Sequence, residues 1–283
     1  MPQLRARVKA TGRVGEVIAS DEGDSSLTYK LGFSDGSDPP ADWFPGDGVE
    51  LLPDSPGAGG AALVFLHGSG DSGSGIQDWL EHVSGGDFSR RLAAAGIRTV
   101  FPDAPAIPYT LAGGRMQTVW FDRKAMAYDA PEDGAGLSRS VAQVDEEIER
   151  LVALGVPLSR IGVGGMSMGG CLALHLAFGA GKYAGKLGAV ASLSTFLPSD
   201  SGLDAAAQSR FGGGKVHSPP LFMAHGSADP MIATAWAEAT RGRLLAAGVA
   251  APDKLMMFPG LGHDMCRDEV RQLTDFFVTH LGS

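Results

Sequence analysis

The chain has 283 residues, and its 23 basic against 32 acidic side chains give a net charge of −9. It therefore lacks the basic footprint that displaces counterions from nucleic acid, and the same sign opposes an anionic membrane surface. With 44% hydrophobic and 19% charged residues it can bury a sizeable core, which excludes general disorder. Its length fits one large domain, or a medium one with a small companion, better than two catalytic domains.

The N-terminal fifty residues read as short strands at 14–18, 28–33 and 48–52, with Tyr29, Leu31 and Phe33 alternating with Lys30 and Gly32. Asp35-Gly36 reads as a hairpin turn. A small SH3-like β-barrel over 1–52 is the expectation, and a simple meander of three or four strands fits as well. Trp43 and Phe44, beside Pro45-Gly46-Asp47, are read as core rather than as a peptide-binding surface, although a protein partner for this module stays open. Residues 53–60 join turn formers to small residues and read as a linker.

From residue 61 onward the pattern changes to apolar β runs alternating with amphipathic helices. Strands are predicted at 63–66, 99–101, 161–163, 189–193, 221–224 and 254–258. Helices are predicted behind Ser138 as N-cap, over 171–178, over 231–245 and over the C-terminal stretch with Val270, Leu273, Phe277 and Leu281. Such alternation predicts a mainly parallel sheet with helices on both faces across 61–283. The Pro-, Gly- and Asp-rich segments 104–136 and 197–218 read as long loops around a ligand. The longest apolar run, 61–66, is far short of the ~18 residues of a membrane-spanning helix. No apolar signal core opens the chain, and Cys171 and Cys266 supply neither a disulfide framework nor zinc spacing. A cytosolic protein without membrane insertion is expected.

Gly165-Met166-Ser167-Met168-Gly169 falls between a strand and a helix, the context of a nucleophile elbow. A side chain at Gly165 or Gly169 would clash in so sharp a turn, and Ser167 is lifted above the sheet. Gly162-Val163-Gly164 hints at a dinucleotide loop, but Ser167 stands where the third glycine belongs, which rejects that reading. A serine hydroxyl needs a base and an orienting acid. Asp229 follows the strand 221–224 and His263 follows 254–258, each on a loop, giving the order Ser167, Asp229, His263. Asp264 and Asp103 are the competing acids, and Asp264 adjoins His263 too closely to reach Nδ1 easily. Two backbone N–H donors are assigned to the oxyanion: Met168, at the start of the following helix, and Ser69, in the turn Leu66-His67-Gly68-Ser69-Gly70-Asp71. His67, His175 and His225 read as structural, and Cys171 as a small buried hydrophobe.

Phe65-Leu66-His67-Gly68-x-Gly70-Asp71, Phe101-Pro102-x-Ala104-Pro105, Trp120-Phe121-Asp122, the elbow, His225-Gly226-x-x-Asp229-Pro230 and Gly262-His263 together resemble the acyl-protein thioesterase/lysophospholipase group of carboxylesterases. Within it, Val119-Trp120-Phe121-Asp122-Arg123 and Ser167-Met168-Gly169-Gly170-Cys171 look most like the lysophospholipase-like branch. The resemblance covers nearly all of 60–283 and implies an α/β-hydrolase without metal or organic cofactor, a serine carboxylesterase or thioesterase acting on a small acyl ester or an acylated protein. That branch is associated with a shallow pocket for short acyl chains. Met166 departs from the Phe usual before the nucleophile, and the first fifty residues have no counterpart. Trp120 and Phe121 are assigned to the acyl pocket, with core packing as the competing reading. A lysophospholipase is the alternative enzyme, and a non-catalytic binding protein on the same fold is the alternative class.

Overall fold

The structure is a computed structural model that describes residues 5–20, 26–33, 40–52, 60–214, 216 and 218–282. The chain divides into two compact units, Met1–Ala58 and Gly59–Ser283.

The first unit is an antiparallel sheet of β1 (Arg5–Val8), β2 (Val14–Ser20), β3 (Tyr29–Gly32), β4 (Ala41–Phe44) and β5 (Val49–Leu52), in the order β4-β3-β2-β1-β5. β1 and β4 escape a sequence reading because they are short and carry charge. In β1 the alternation is nevertheless present: Ala6 and Val8 are buried while Arg7 points outward to Glu50 at 2.9 Å. Leu31, Phe33 and Val49 complete the small core, and Phe44 packs against it. Trp43 corrects the expectation, since it lies outside that core, half-buried, with the Lys30 ammonium 5.9 Å from its ring. Among the described residues the strand pairings do not close this sheet into a barrel. The Asp35-Gly36 turn and residues 53–59 of the expected linker lie outside the described residues.

In the second unit the elements follow as β6 (Ala61–Leu66), α1 (Gly73–Ser84), α2 (Asp87–Ala94), β7 (Ile97–Val100), a hairpin of β8 (Ala106–Tyr109) and β9 (Arg115–Thr118), and α3 (Gly134–Ala153). Then come β10 (Ile161–Met166), α4 (Met168–Phe178), β11 (Ala189–Leu193), α5 (Leu203–Phe211), β12 (Leu221–Gly226), α6 (Thr234–Ala246), β13 (Met256–Phe258) and α7 (Arg267–Leu281). Six strands form one sheet, β13-β12-β11-β10-β6-β7, and every pairing is parallel. Parallel strands need helical crossovers, which cover both faces and bury the sheet. The period of two sorts β6 accordingly: Ala62, Val64 and Leu66 join the core with α3 and α4, while Ala61, Leu63 and Phe65 join the core with α1, α2 and α7. Each fully buried Leu or Val there contributes about 1.5–3 kcal/mol. Among the described residues no helix is long and apolar enough to cross a membrane.

Three expectations are corrected. Helix α3 begins at Gly134, because the Asp133 carboxylate caps it by accepting the Gly136 N–H at 3.0 Å, while Ser138 donates its hydroxyl back to Gly134. The segment 104–136 carries the β8–β9 hairpin, and 197–218 carries α5, so neither is an open loop. Helices α1 and α2 lie where no element was read: Gly85 at φ 70° and Gly86 at φ 81° turn the chain sharply between them, which hides the periodicity of each.

Candidate active site

Ser167 stands between β10 and α4 with φ 55° and ψ −118°, a left-handed conformation rare for a residue with a side chain. Such strain costs about 1–3 kcal/mol and persists only where the surroundings enforce it. They do so here by close approach. A Cβ on Gly165 would lie 2.4 Å from the backbone of Gly169, and one on Gly169 would lie 2.2 Å from the carbonyl oxygen of Leu66. The Ser167 N–H donates to Leu193 O at 2.8 Å, and its carbonyl accepts from Cys171 N at 3.1 Å and from the Thr195 hydroxyl at 2.6 Å. Thr195 has no motif around it, and sequence reasoning did not find it.

Parallel strands end on one edge, so the loops after β10, β12 and β13 share it. There the His263 Nδ1–H donates to Asp229 Oδ2 across 2.8 Å. The other carboxylate oxygen of Asp229 accepts the N–H of Met231 at 2.8 Å and of Ile232 at 2.9 Å. Burial raises the Asp229 carboxyl, but the N–H groups of Ile232 and Met231 and the His263 imidazole outweigh it and hold the group below the ordinary carboxylate range. The two loops are pinned together by backbone: Ala228 N donates to Leu261 O at 2.9 Å, and a Cβ on Gly226 would strike Gly262 O and Leu261 O at 2.3 Å. The competing acids are occupied. Asp264 accepts the Trp79 indole N–H at 3.0 Å, and Asp103 accepts Gly73 N at 2.7 Å. His225 is fully buried and bonds Ile232 O through Nε2 at 2.9 Å, supporting the Asp229 loop from beneath.

The turn after β6 lies against Ser167, since a Cβ on Gly68 would be 3.6 Å from its Cβ. Among the described residues neither the Ser69 nor the Met168 backbone N–H has a protein acceptor. His67 organises this turn. Its Nε2 accepts the Ala104 N–H at 3.0 Å, which leaves the proton on Nδ1 to donate to Gly68 O at 2.7 Å. Burial lowers the His67 imidazole pKa despite that bond, in keeping with a neutral ring.

Trp120 and Phe121 correct the pocket assignment. Trp120 is 0% and Phe121 2% exposed, so neither presents an open wall to an acyl chain. Trp120 instead donates its indole N–H to His67 O at 2.9 Å, and its ring lies tilted against that imidazole with the centroids 5.1 Å apart.

On α4, His175 Nε2 lies 3.1 Å from Glu132 Oε1, and Glu132 Oε2 accepts Gly202 N at 2.9 Å. Burial opposes a charge on His175, but the Cys171 thiol and the Glu132 carboxylate outweigh it and push the imidazole up to about 9. This pair ties both long connecting segments to α4. Among the described residues no group of three or more His, Cys, Asp or Glu side chains is arranged to hold a metal ion.

A family model described as Phospholipase/Carboxylesterase matches residues 55–281. The chain is 36% identical over 221 residues to lysophospholipase-like protein 1 of Mus musculus, covering 78% of this chain and 87% of that protein. It is 31% identical to acyl-protein thioesterase 1 of Neurospora crassa, with coverage of 78% and 87%. Among solved structures, Arabidopsis thaliana SOBER1 superposes with a TM-score of 0.65 at 25% identity, covering 78% of this chain and 99% of that one. Zea mays acyl-protein thioesterase 2 does so with a TM-score of 0.63 at 27% identity, covering 80% and 96%.

Proposed function

Since the chain belongs to the phospholipase/carboxylesterase family of α/β-hydrolases, which cleave esters or thioesters, we propose that Ser167, His263 and Asp229 form its catalytic triad and that its substrates carry short acyl groups. The observation that carries the reading is the 2.8 Å bond from His263 to Asp229, on the sheet edge where the strained Ser167 stands. In this reading His263 Nε2 takes the Ser167 proton as Oγ attacks the acyl carbon. Asp229 holds the proton on Nδ1 and stabilises the imidazolium that forms. The carbonyl oxygen, now an oxyanion, accepts from the N–H groups of Ser69 and Met168. Collapse expels the alcohol or thiol, protonated by His263. Water then attacks the acyl-enzyme with His263 again as base, and the carboxylic acid leaves.

The short-chain preference is supported by the likeness to lysophospholipase-like protein 1 and by the inward packing of Trp120 and Phe121, which fill space instead of lining it. Two cysteines without a disulfide, Cys171 and Cys266, support a reducing, cytosolic setting within the same proposal. The N-terminal sheet is assigned to a protein partner and not to the chemical step, with the half-buried Trp43 as the residue that supports this. Incubation with a fluorophosphonate followed by intact-mass measurement tests the central claim. One covalent adduct, absent from Ser167→Ala, is expected, and an unmodified wild-type chain would overturn it.

A further inference from the structure

The backbone on both sides of Ser167 is held by one short segment at the end of β11. The Ser167 N–H donates to Leu193 O at 2.8 Å, and the Ser167 carbonyl accepts the Thr195 hydroxyl at 2.6 Å. For Leu193 and Thr195 both to reach Ser167, the chain between them has to bend. Ser194 does this with φ 44°, and among the described residues it and Ser167 are the two that carry a side chain at positive φ. Ser194 is fully buried, and its hydroxyl has no hydrogen-bond partner among the described residues. Its N–H donates at 2.9 Å to the carbonyl of Ala224, on the strand that leads to Asp229. The fold therefore holds Ser194 through its backbone, in a strained conformation of the kind that clusters at functional sites.

Thr195 is buried as well, and packing sets its orientation. A Cβ on Gly170 would lie 3.2 Å from both Cβ and Cγ2 of Thr195, so the threonine methyl fills the space that the absent side chain leaves on α4. With one branch of a stiff β-branched side chain seated there, the hydroxyl is left to face the Ser167 carbonyl. That carbonyl already accepts the Cys171 N–H at 3.1 Å, so the hydroxyl is not needed to satisfy it. The consequence lies across the peptide unit. A trans peptide is planar with its C=O and N–H pointing in opposite directions, and the N–H opposite the Ser167 carbonyl belongs to Met168. A donor on the oxygen fixes the plane of that unit and polarises it, which strengthens the N–H. Among the described residues the Met168 N–H has no protein acceptor on which that polarisation is spent.

We infer that Thr195 is a positioning residue for the oxyanion: through the Ser167–Met168 peptide unit its hydroxyl aims and strengthens the Met168 N–H. This rests on the triad and oxyanion donors proposed above. Thr195→Ala and Thr195→Ser both lack the methyl and differ from each other only in the hydroxyl, so their comparison isolates it. Loss of a whole oxyanion donor costs about 10²–10³ in kcat. A donor that is weakened but present costs less, and Thr195→Ala is expected to lower kcat for p-nitrophenyl butyrate about 10-fold with KM within about twofold. Thr195→Ser should recover kcat to within about threefold of wild type. Affinity for a trifluoromethyl ketone, whose adduct with a serine is an oxyanion, should fall in Thr195→Ala by the same factor as kcat/KM. An unchanged kcat in Thr195→Ala, a loss confined to KM, or a loss that Thr195→Ser does not recover overturns the inference, whatever the change in Tm.

If Thr195→Ala does not fold, Thr195→Val removes the same hydroxyl while keeping the methyl against Gly170, and it is read in the same way. The esterase reading fails on another result, namely no ester hydrolysis and no fluorophosphonate adduct in the wild-type chain. The peptide unit is then read by NMR, because a polarised N–H resonates downfield. A Met168 amide proton that moves upfield in the hydroxyl-free variant and returns in Thr195→Ser supports the inference, and an unmoved signal overturns it.

Discussion

Trp120 donates its indole N–H to the backbone carbonyl of His67 across 2.9 Å, from a fully buried position beneath the turn that presents Ser69. Trp120→Phe keeps an aromatic ring but leaves that carbonyl without its donor, which costs about 1–3 kcal/mol of stability. Since an oxyanion donor acts in the transition state, kcat should fall about 10–100-fold with little change in KM. Steady-state kinetics beside a melting curve check this. A rise in KM alone would return Trp120 to the acyl pocket.

The proposed triad makes a graded prediction. Ser167→Ala removes the attacking oxygen and should abolish hydrolysis by several orders of magnitude with the fold intact. Asp229→Asn should cost about 10⁴ in kcat, because the imidazole loses the partner that fixes its tautomer. Asp264→Asn keeps an acceptor oxygen for the Trp79 indole and the Met265 N–H and should stay within about threefold, a surface-scale effect. If Asp264→Asn is the more damaging of the two acids, the acid is misassigned.

The strained turn at Ser167 and the pairing of His263 with Asp229 were legible in the sequence because their signals are local. Gly165 is required by its contact with Gly169 inside one strand-turn-helix, and although Gly169 is required by the Leu66 carbonyl of a distant strand, both fall within five consecutive residues, while Asp229 and His263 each follow an apolar strand run. The role of Trp120 was not legible, since whether an indole in a long segment faces ligand or core depends on the His67 carbonyl far away in the chain. Helix α3 was misplaced at its start because Asp133 caps it from inside a stretch whose Pro, Gly and Asp content reads as loop. In the N-terminal sheet, β4 owes its register to β3, and no pattern of its own announces it.

Two buried groups set the direction of stability with pH. Burial, reinforced by Asp264 and opposed by the nearby Cys266 N–H, pushes the Glu269 carboxyl from 4.5 up to about 8. The native chain therefore binds more protons than the unfolded one between those values, and stability falls as pH rises through that window. His175 acts in the same direction: its stabilisation is fully present below 6.5 and is lost as pH rises through about 9. Tm should thus decline steadily from pH 6 to 9. Glu269→Gln should flatten the lower part of the decline, and His175→Gln should be least stable relative to wild type below pH 6.5 and approach it near 9. A wild-type Tm that rises across this range would contradict both assignments.

Acyl-chain preference follows from the space that Trp120 and Phe121 fill. In a series of neutral p-nitrophenyl esters, kcat/KM should peak at about two to six acyl carbons, since each methylene that finds no pocket gains little. A steady increase up to palmitate would mean that a long-chain channel exists beside Ser167, and the substrate class would move to lipids.

The last prediction concerns the N-terminal sheet. Ser69, Trp120, Ser167, Asp229 and His263 all lie in the second unit, Gly59–Ser283, and the antiparallel unit before it has its own small core of Ala6, Val8, Leu31, Phe33 and Val49. The second unit buries both faces of its sheet with its own helices. A shortened chain starting near Gly57 should therefore hydrolyse a small neutral ester at close to the full-length rate. Any cost of the removal should appear in binding to a protein partner through the face that carries Trp43, which a pull-down with full-length and Trp43→Ala chains can register. Should kcat drop sharply in the shortened chain while its Tm is unchanged, the first unit would have to act on the chemical step itself, as a lid.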